Sequence, residues 1–152
     1  MIESSHNFEE KNMNLIEKKP VVFTAQSKKN FFMRSLVCKY VFEHGCIPLN
    51  PFNVFWYFLY ELVDRDLVRN GNNNLIARSD EVWFFGEIAD GCVSEIESAM
   101  ELGKKIAFYK MGSTYKSIEK CAIDELIFED EVTVDTEKLK QKIKEYPYIS
   151  FW

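Results

Sequence analysis

Residues 79–110 constrain the fold more than any other part of the chain. An apolar run, Val82-Trp83-Phe84-Phe85, ends at Gly86, and a short loop leads to Asp90-Gly91. A helical pattern then runs to Leu102 and stops at Gly103, before a second apolar run, Ile106-Ala107-Phe108-Tyr109. Runs without polar alternation are buried on both faces, as in parallel sheets covered by helices. The stretch therefore reads as a β-α-β unit. Ligands of such sheets bind beyond the carboxyl ends of the strands. Residues 86–91 and the first turn of the helix occupy that end, and Glu95 lies about one turn further along.

The rest of the chain continues the alternation. Val21-Val22-Phe23 reads as a short buried strand and residues 24–30 as a polar loop. Asn30 is placed to cap a helix over residues 31–43 that Gly45 ends. Phe32, Leu36 and Tyr40, with Val37 and Val41 beside them, form its apolar stripe. Cys46-Ile47-Pro48-Leu49 is a second strand, which its proline assigns to an edge or a strand end. Pro51 breaks the chain, and an aromatic-rich helix spans residues 52–64. A helix over 66–77 is interrupted at Asn70-Gly71-Asn72-Asn73-Asn74. Alternation around Ile127, Phe128 and Val132 predicts a last strand within 126–134, and Asp135 caps an amphipathic helix over 136–146. Residues 1–19 are polar and lack a period, as in a loose arm; residues 20–152 form one domain. The order predicts an α/β fold, a doubly wound and mainly parallel sheet of about five strands flanked by helices.

Composition removes several classes of function. A formal net charge of −5 opposes a general binder of nucleic-acid polymers, which needs a basic face. Cys38, Cys46, Cys92 and Cys121 form no CxxC pair and have only His6 and His44 as partners, so zinc-ligand spacing is absent. Without a secretory signal the thiols read as reduced and the protein as cytoplasmic. The most apolar window, residues 52–63, is too short for a bilayer, which takes about 20 residues. No membrane partner, metal or other cofactor is expected.

Several motifs, taken as a set, resemble the nucleoside 2-deoxyribosyltransferase-like superfamily. They are the apolar strand and polar turn of residues 21–27, G-x-x-P-x-x-P at Gly45, Pro48 and Pro51, and D-x-x-W-x-F-G at Asp80, Trp83, Phe85 and Gly86. The last is G-x-x-x-E-I-x-x-A-x-x-x-G-K-x-I, at Gly91, Glu95, Ile96, Ala99, Gly103, Lys104 and Ile106. The resemblance covers residues 21–110 and is closest to small relatives with a W-x-F-G strand. It implies a Rossmann-like fold, a nucleoside or nucleotide ligand, cleavage or transfer at an N-glycosidic bond, and a homodimer or larger assembly. It also implies that Glu95, followed by Ala99, attacks the sugar C1′, as carboxylates do in retaining glycosidases. Two residues depart from the pattern. The family's second acidic position falls on Asn72, which weakens protonation of the base unless Asp66 or Glu87 substitutes. Asp90 stands where the nucleotide hydrolases place a serine that contacts phosphate.

The expected cleft is built from Thr24, Ala25, Gln26, Ser27 and Asn30 of the first loop, Pro51 and Phe52 of the second turn, and Gly86, Glu87, Asp90 and Gly91 before Glu95. Asp66 and Arg69 reach it from the segment between. Each has a plainer reading. By spacing alone Glu95 is an exposed helix glutamate like Glu97 or Glu101, and Asp90 is an acid favoured by the helix dipole. Asp66 and Arg69 form an i, i+3 ion pair, and residues 24–30 are a solvated turn. Phe52, Phe55, Trp56 and Tyr57 read as a lid over a base or as packing. Cys92 lacks a histidine partner and is not a nucleophile. Residues 146–152 are too aromatic for a free tail and are expected to dock. The alternatives to an N-glycosidase or transferase are a module that senses or sequesters a nucleotide-derived molecule and an interaction protein using the aromatic helix.

Overall fold

The structure is a computed structural model and describes residues 17–55, 59–112 and 117–150. Most of the arm, residues 1–16, lies outside the described residues, as do Trp56, Tyr57, Phe151 and Trp152. Five strands form one sheet in the order β2-β1-β3-β4-β5. They are β1 (Val21–Gln26), β2 (Ile47–Leu49), β3 (Glu81–Phe85), β4 (Lys105–Lys110) and β5 (Glu119–Lys120). The first four are mutually parallel, and β5 runs antiparallel to β4. The α/β, mainly parallel architecture is as the alternating pattern predicts. The proline-bearing strand β2 is at an edge. The helices are α1 (Arg34–Glu43), α2 (Pro51–Phe55), α3 (Leu59–Leu62), α4 (Arg65–Arg78), α5 (Asp90–Glu101) and α6 (Thr136–Glu145).

Alternate residues of the central strands feed two cores. Phe23, Ala25, Val82, Phe84, Ile106 and Phe108 pack with Ile76 of α4, Val93, Ile96 and Ala99 of α5, and Leu139 and Ile143 of α6. On the opposite face Val22, Trp83, Phe85, Ala107 and Tyr109 pack with Val37 and Val41 of α1. The α1 crossover and the α5 crossover thus cover opposite faces. The strand order reverses between β1 and β3, which opens a crevice at their carboxyl ends.

Five local expectations are corrected. The first strand continues to Gln26, so Thr24 and Ala25 are strand residues, not loop residues. Ser27, not Asn30, provides the cap: its hydroxyl accepts from Lys29 N, and a 3-10 turn over Lys28–Met33 precedes α1. The buried stripe is consequently Met33, Val37 and Val41, and Phe32 is 70% exposed. Pro51 opens a helix instead of breaking one, since the first helical position needs no N–H. Residues 126–134 form no strand; Phe128 makes a single bridge to Ile88, and the fifth strand is the antiparallel β5.

The asparagine run also fails to interrupt α4. Residues 70–74 disfavour a helix by about 3 kcal/mol in total relative to alanine. Burial of Val68 and Ile76 returns about 2 kcal/mol each. The asparagines bond along the helix as well: Asn74 Nδ2 donates to Asn70 O at 2.9 Å, and Arg78 Nη1 to Asn74 O at 3.1 Å. Gly71 has a packing role, because a Cβ there would lie 3.0 Å from the Phe55 ring.

Two polar devices hold the ends of the sheet. Asn50 is buried between β2 and α2. Its Nδ2 donates to Thr24 Oγ1 at 2.9 Å and Gln26 Oε1 at 3.2 Å, and its Oδ1 accepts from Phe52 N at 3.0 Å. Replacing Asn50 with alanine leaves buried partners unsatisfied and removes a helix cap, each worth about 1 kcal/mol or more. The expected loss is about 2 kcal/mol, a fall in melting temperature of roughly 6 °C by calorimetry. At the chain's end, Tyr146 Oη donates to Lys104 O at 2.6 Å. Ile106 N donates to Tyr148 O at 2.9 Å, and Ser150 N to Ile106 O at 2.7 Å. Residues 146–150 therefore dock on the half of the β4 edge that β5 leaves open.

Candidate active site

A cleft of about 480 Å³ lies beyond the carboxyl ends of β1 and β3, within the range of small-molecule sites. Gln26 and Ser27 at the end of β1 form one wall, with Lys28 and Lys29 following. Pro51 and Phe52 of α2 form another. The start of α5 supplies Asp90, Gly91, Cys92 and, one turn on, Glu95. Helix α4 supplies Arg65, Val68, Arg69 and Asn72, and Glu129 and Glu131 complete the lining.

Glu95 is the chemically distinctive group. It is half-buried, and among the described residues nothing donates a hydrogen bond to its carboxyl. Burial without compensation pushes its pKa up to about 8. A carboxyl with raised pKa in a cleft at a switch point is an arrangement typical of catalytic acids and nucleophiles. Cys92 beside it is buried, and its thiol is pushed strongly up by desolvation first and by the charges of Glu95 and Glu129 after it. That environment makes the thiol inert.

Of the residues predicted for the site, Gln26, Ser27, Pro51, Phe52, Arg69, Asp90, Gly91 and Glu95 come together around this cleft. Six do not line it. Ala25 points into the core beneath α4 and α5. Thr24 is buried and spends its hydroxyl on Asn50. Asn30 accepts from Gln26 Nε2 at 2.6 Å through its carbonyl. Its side chain sits against Gly86, whose φ is +81° and where a Cβ would be 2.9 Å from Asn30 Nδ2. Thr24, Asn30 and Gly86 thus shape the walls from behind. Glu87 is exposed beside the cleft. Asp66 is 89% exposed and lies 3.8 Å from Arg69 in the i, i+3 pair.

The residue that sequence reasoning missed is Glu129. Its side chain is only 4% exposed. Ser27 Oγ donates to its Oε1 at 2.5 Å, across 102 residues of sequence. Lys29 Nζ lies 3.9 Å from its Oε2 and 3.1 Å from Glu131 Oε1. The one available signal was the alternation around Ile127 and Phe128, which reads as a strand; the following acidic run reads as solvated. Asn72 also lines the cleft, with an Oδ1 that is buried and has no hydrogen-bond partner.

A second cavity of about 370 Å³ lies at the β4–β5 edge, away from the switch point, and its acid, Asp124, is paired with Lys144 at 2.5 Å. Among the described residues no group of three or more histidine, cysteine, aspartate or glutamate side chains is arranged to hold a metal. No helix among them is long and apolar enough to cross a membrane.

No curated protein matches the sequence. Similar solved structures include a transferase and a glycosidase. A 2-deoxyribosyltransferase from the psychrotolerant bacterium Bacillus psychrosaccharolyticus is 14% identical with a TM-score of 0.50, covering 87% of this chain and 99% of that one. A CMP N-glycosidase of Clostridium botulinum is 16% identical with a TM-score of 0.43, covering 83% of this chain and 99% of that one. The mostly parallel five-stranded sheet flanked by helices is thus the fold shared with the 2-deoxyribosyltransferase. Residues 21–109 match the family described as Domain of unknown function (DUF7768). That segment runs from the start of β1 to Tyr109 in β4 and covers more than half of the chain, and the protein belongs to this family.

Proposed function

We propose that the protein cleaves or transfers at the N-glycosidic bond of a nucleoside or nucleotide, with Glu95 as nucleophile at the sugar C1′. The observation that carries this reading is the Glu95 carboxyl itself, half-buried and without a described donor in a cleft at the β1/β3 switch point. Glu95 attacks C1′ and the C1′–N bond breaks. Its electron pair leaves on the base, which takes up a proton from solvent, and water or a second base then resolves the glycosyl-enzyme. The shared fold with a 2-deoxyribosyltransferase supports the assignment. Gln26, Ser27, Phe52, Arg69, Asp90 and Gly91 are the residues proposed to bind the ligand.

Asn72 favours a second reading, a binding module without turnover, because an amide cannot supply the proton that the departing base needs. One experiment separates the two. The protein is incubated with ribo- and deoxyribonucleosides and their monophosphates, free base is followed by chromatography, and melting temperature is recorded for each compound. Release from at least one member is the expected result. Thermal stabilisation without release would replace the enzyme by the binding module. Neither release nor stabilisation would remove both.

A further inference from the structure

Resolving a glycosyl-enzyme with water takes a second carboxylate, to remove the proton of the attacking water. We propose that Glu129 is that group, the general base that frees the sugar from Glu95; the inference rests on the N-glycosidase reading above.

The other acids near the cleft are accounted for. Asp66 is turned to solvent with Arg69, and Glu87 is exposed off the cleft. Asp90 is an exposed first-turn acid that the α5 dipole favours. Glu131 is 66% exposed and held by Lys29. Glu129 alone is withdrawn from water, at 4% side-chain exposure, and it is held there by the Ser27 hydroxyl and by Lys29 Nζ 3.9 Å from its Oε2.

Its position is built from both sides. Ile88 N donates to Ile127 O at 2.8 Å and Glu129 N to Ile88 O at 2.9 Å, which tie the segment to the loop after β3. Ser27 Oγ fixes the carboxyl from the end of β1. A carboxylate has about four lone-pair sites, so the Ser27 bond leaves acceptor capacity on a group that lines the cleft. Glu95 and Glu129 both line the cleft beside Cys92 at the start of α5. Glu129 lies outside the segment 21–109 that matches the family, so this general base comes from the C-terminal part of the chain.

The step balances as follows. With Glu95 joined to C1′, a water O–H bond breaks and the proton passes to the Glu129 carboxylate. The water oxygen bonds to C1′, and the bond from C1′ to Glu95 breaks with its electron pair returning to Glu95 as carboxylate. Glu129 later loses the proton to solvent, and nothing is oxidised or reduced.

The test is the pre-steady-state kinetics of Glu129→Gln. The variant is expected to release about one base per protein in a first burst, then to turn over about 10²- to 10⁴-fold more slowly than wild type, with a pentosyl adduct building up on Glu95. Azide, which attacks without losing a proton, is expected to restore turnover to Glu129→Ala with the C1′ configuration retained, whereas in Glu95→Ala it can only take the place of the missing carboxylate and invert C1′. Wild-type turnover by Glu129→Gln, loss of the burst with the steady state, or failure of azide rescue would overturn the assignment. Should the Glu129 variants not fold, Ser27→Ala keeps both carboxylates and decides: slower steady state with the burst intact supports the role, and an unchanged steady state overturns it. If wild type releases no base, the glycosidase reading has failed and Glu129 falls with it; if wild type turns over through Glu95, only the Glu129 assignment is at stake.

Discussion

Glu95→Gln is expected to lower base release by at least about 10³-fold, because removing a nucleophile leaves only positioning and electrostatic contributions. The amide has the same shape, so binding of the substrate should survive, and kcat should fall far more than KM changes. The pH profile adds a second readout. Glu95 attacks as an anion, and burial raises its pKa to about 8. In wild type, kcat/KM is therefore expected to rise with pH through about 8, since that ratio reports ionisation of the free protein. A profile flat from pH 5 to 9, or base release undiminished in Glu95→Gln, would remove Glu95 from the chemistry.

The same substitution is expected to have the opposite effect on stability. The folded-state pKa of Glu95, about 8, lies above the ordinary value of 4.5. Between those pH values the folded protein holds a proton that the unfolded chain releases. Stability therefore falls as pH rises from about 4.5 to about 8, and the penalty is complete above that window. Glutamine never ionises and escapes it. Glu95→Gln is expected to be more stable than wild type by about 2–4 kcal/mol at pH 9, discounted for the solvent in the open cleft, and nearly equal to it at pH 4. Urea unfolding at both pH values measures the difference. Equal midpoints at pH 9 would mean that the carboxyl is not desolvated. Inactivation with stabilisation is what separates a functional buried carboxyl from a structural one.

The fold was legible where burial alone sets the pattern. Val82-Trp83-Phe84-Phe85 and Ile106-Ala107-Phe108-Tyr109 are apolar on both faces because helices cover both faces of the sheet. The proline of β2 marked an edge for the same kind of reason. Local breaker signals were less reliable. Asn70 to Asn74 look like a loop, yet burial of Val68 and Ile76 outweighs their poor propensity. Phe32 looked like core and is exposed, because the 3-10 turn capped by Ser27 rotates the register before α1 begins.

The site was half legible. Glu95, Asp90, Gly91, Gln26 and Ser27 sit at strand ends and helix starts, where topology puts ligands. Asp66 and Glu87 were placed near the cleft by chain position, which says nothing of side-chain direction, and both turn to solvent. Glu129 had one signal, the alternation around Ile127 and Phe128, and it did not point to the cleft. Its place depends on a hydrogen bond to Ser27 across 102 residues and on the pairing of residues 127–129 with Ile88, neither of which has a local period.

The most direct test of a glutamate nucleophile is to catch the bond it forms. Wild-type protein is incubated with the reactive member of the panel or its 2′-fluoro analogue, whose electron-withdrawing fluorine slows breakdown of the intermediate, then quenched in acid and digested. Peptide mass spectrometry is expected to find a pentosyl adduct on the fragment containing Glu95, and none in Glu95→Gln. Base release with no adduct on Glu95, or with the adduct on another residue, would contradict the account.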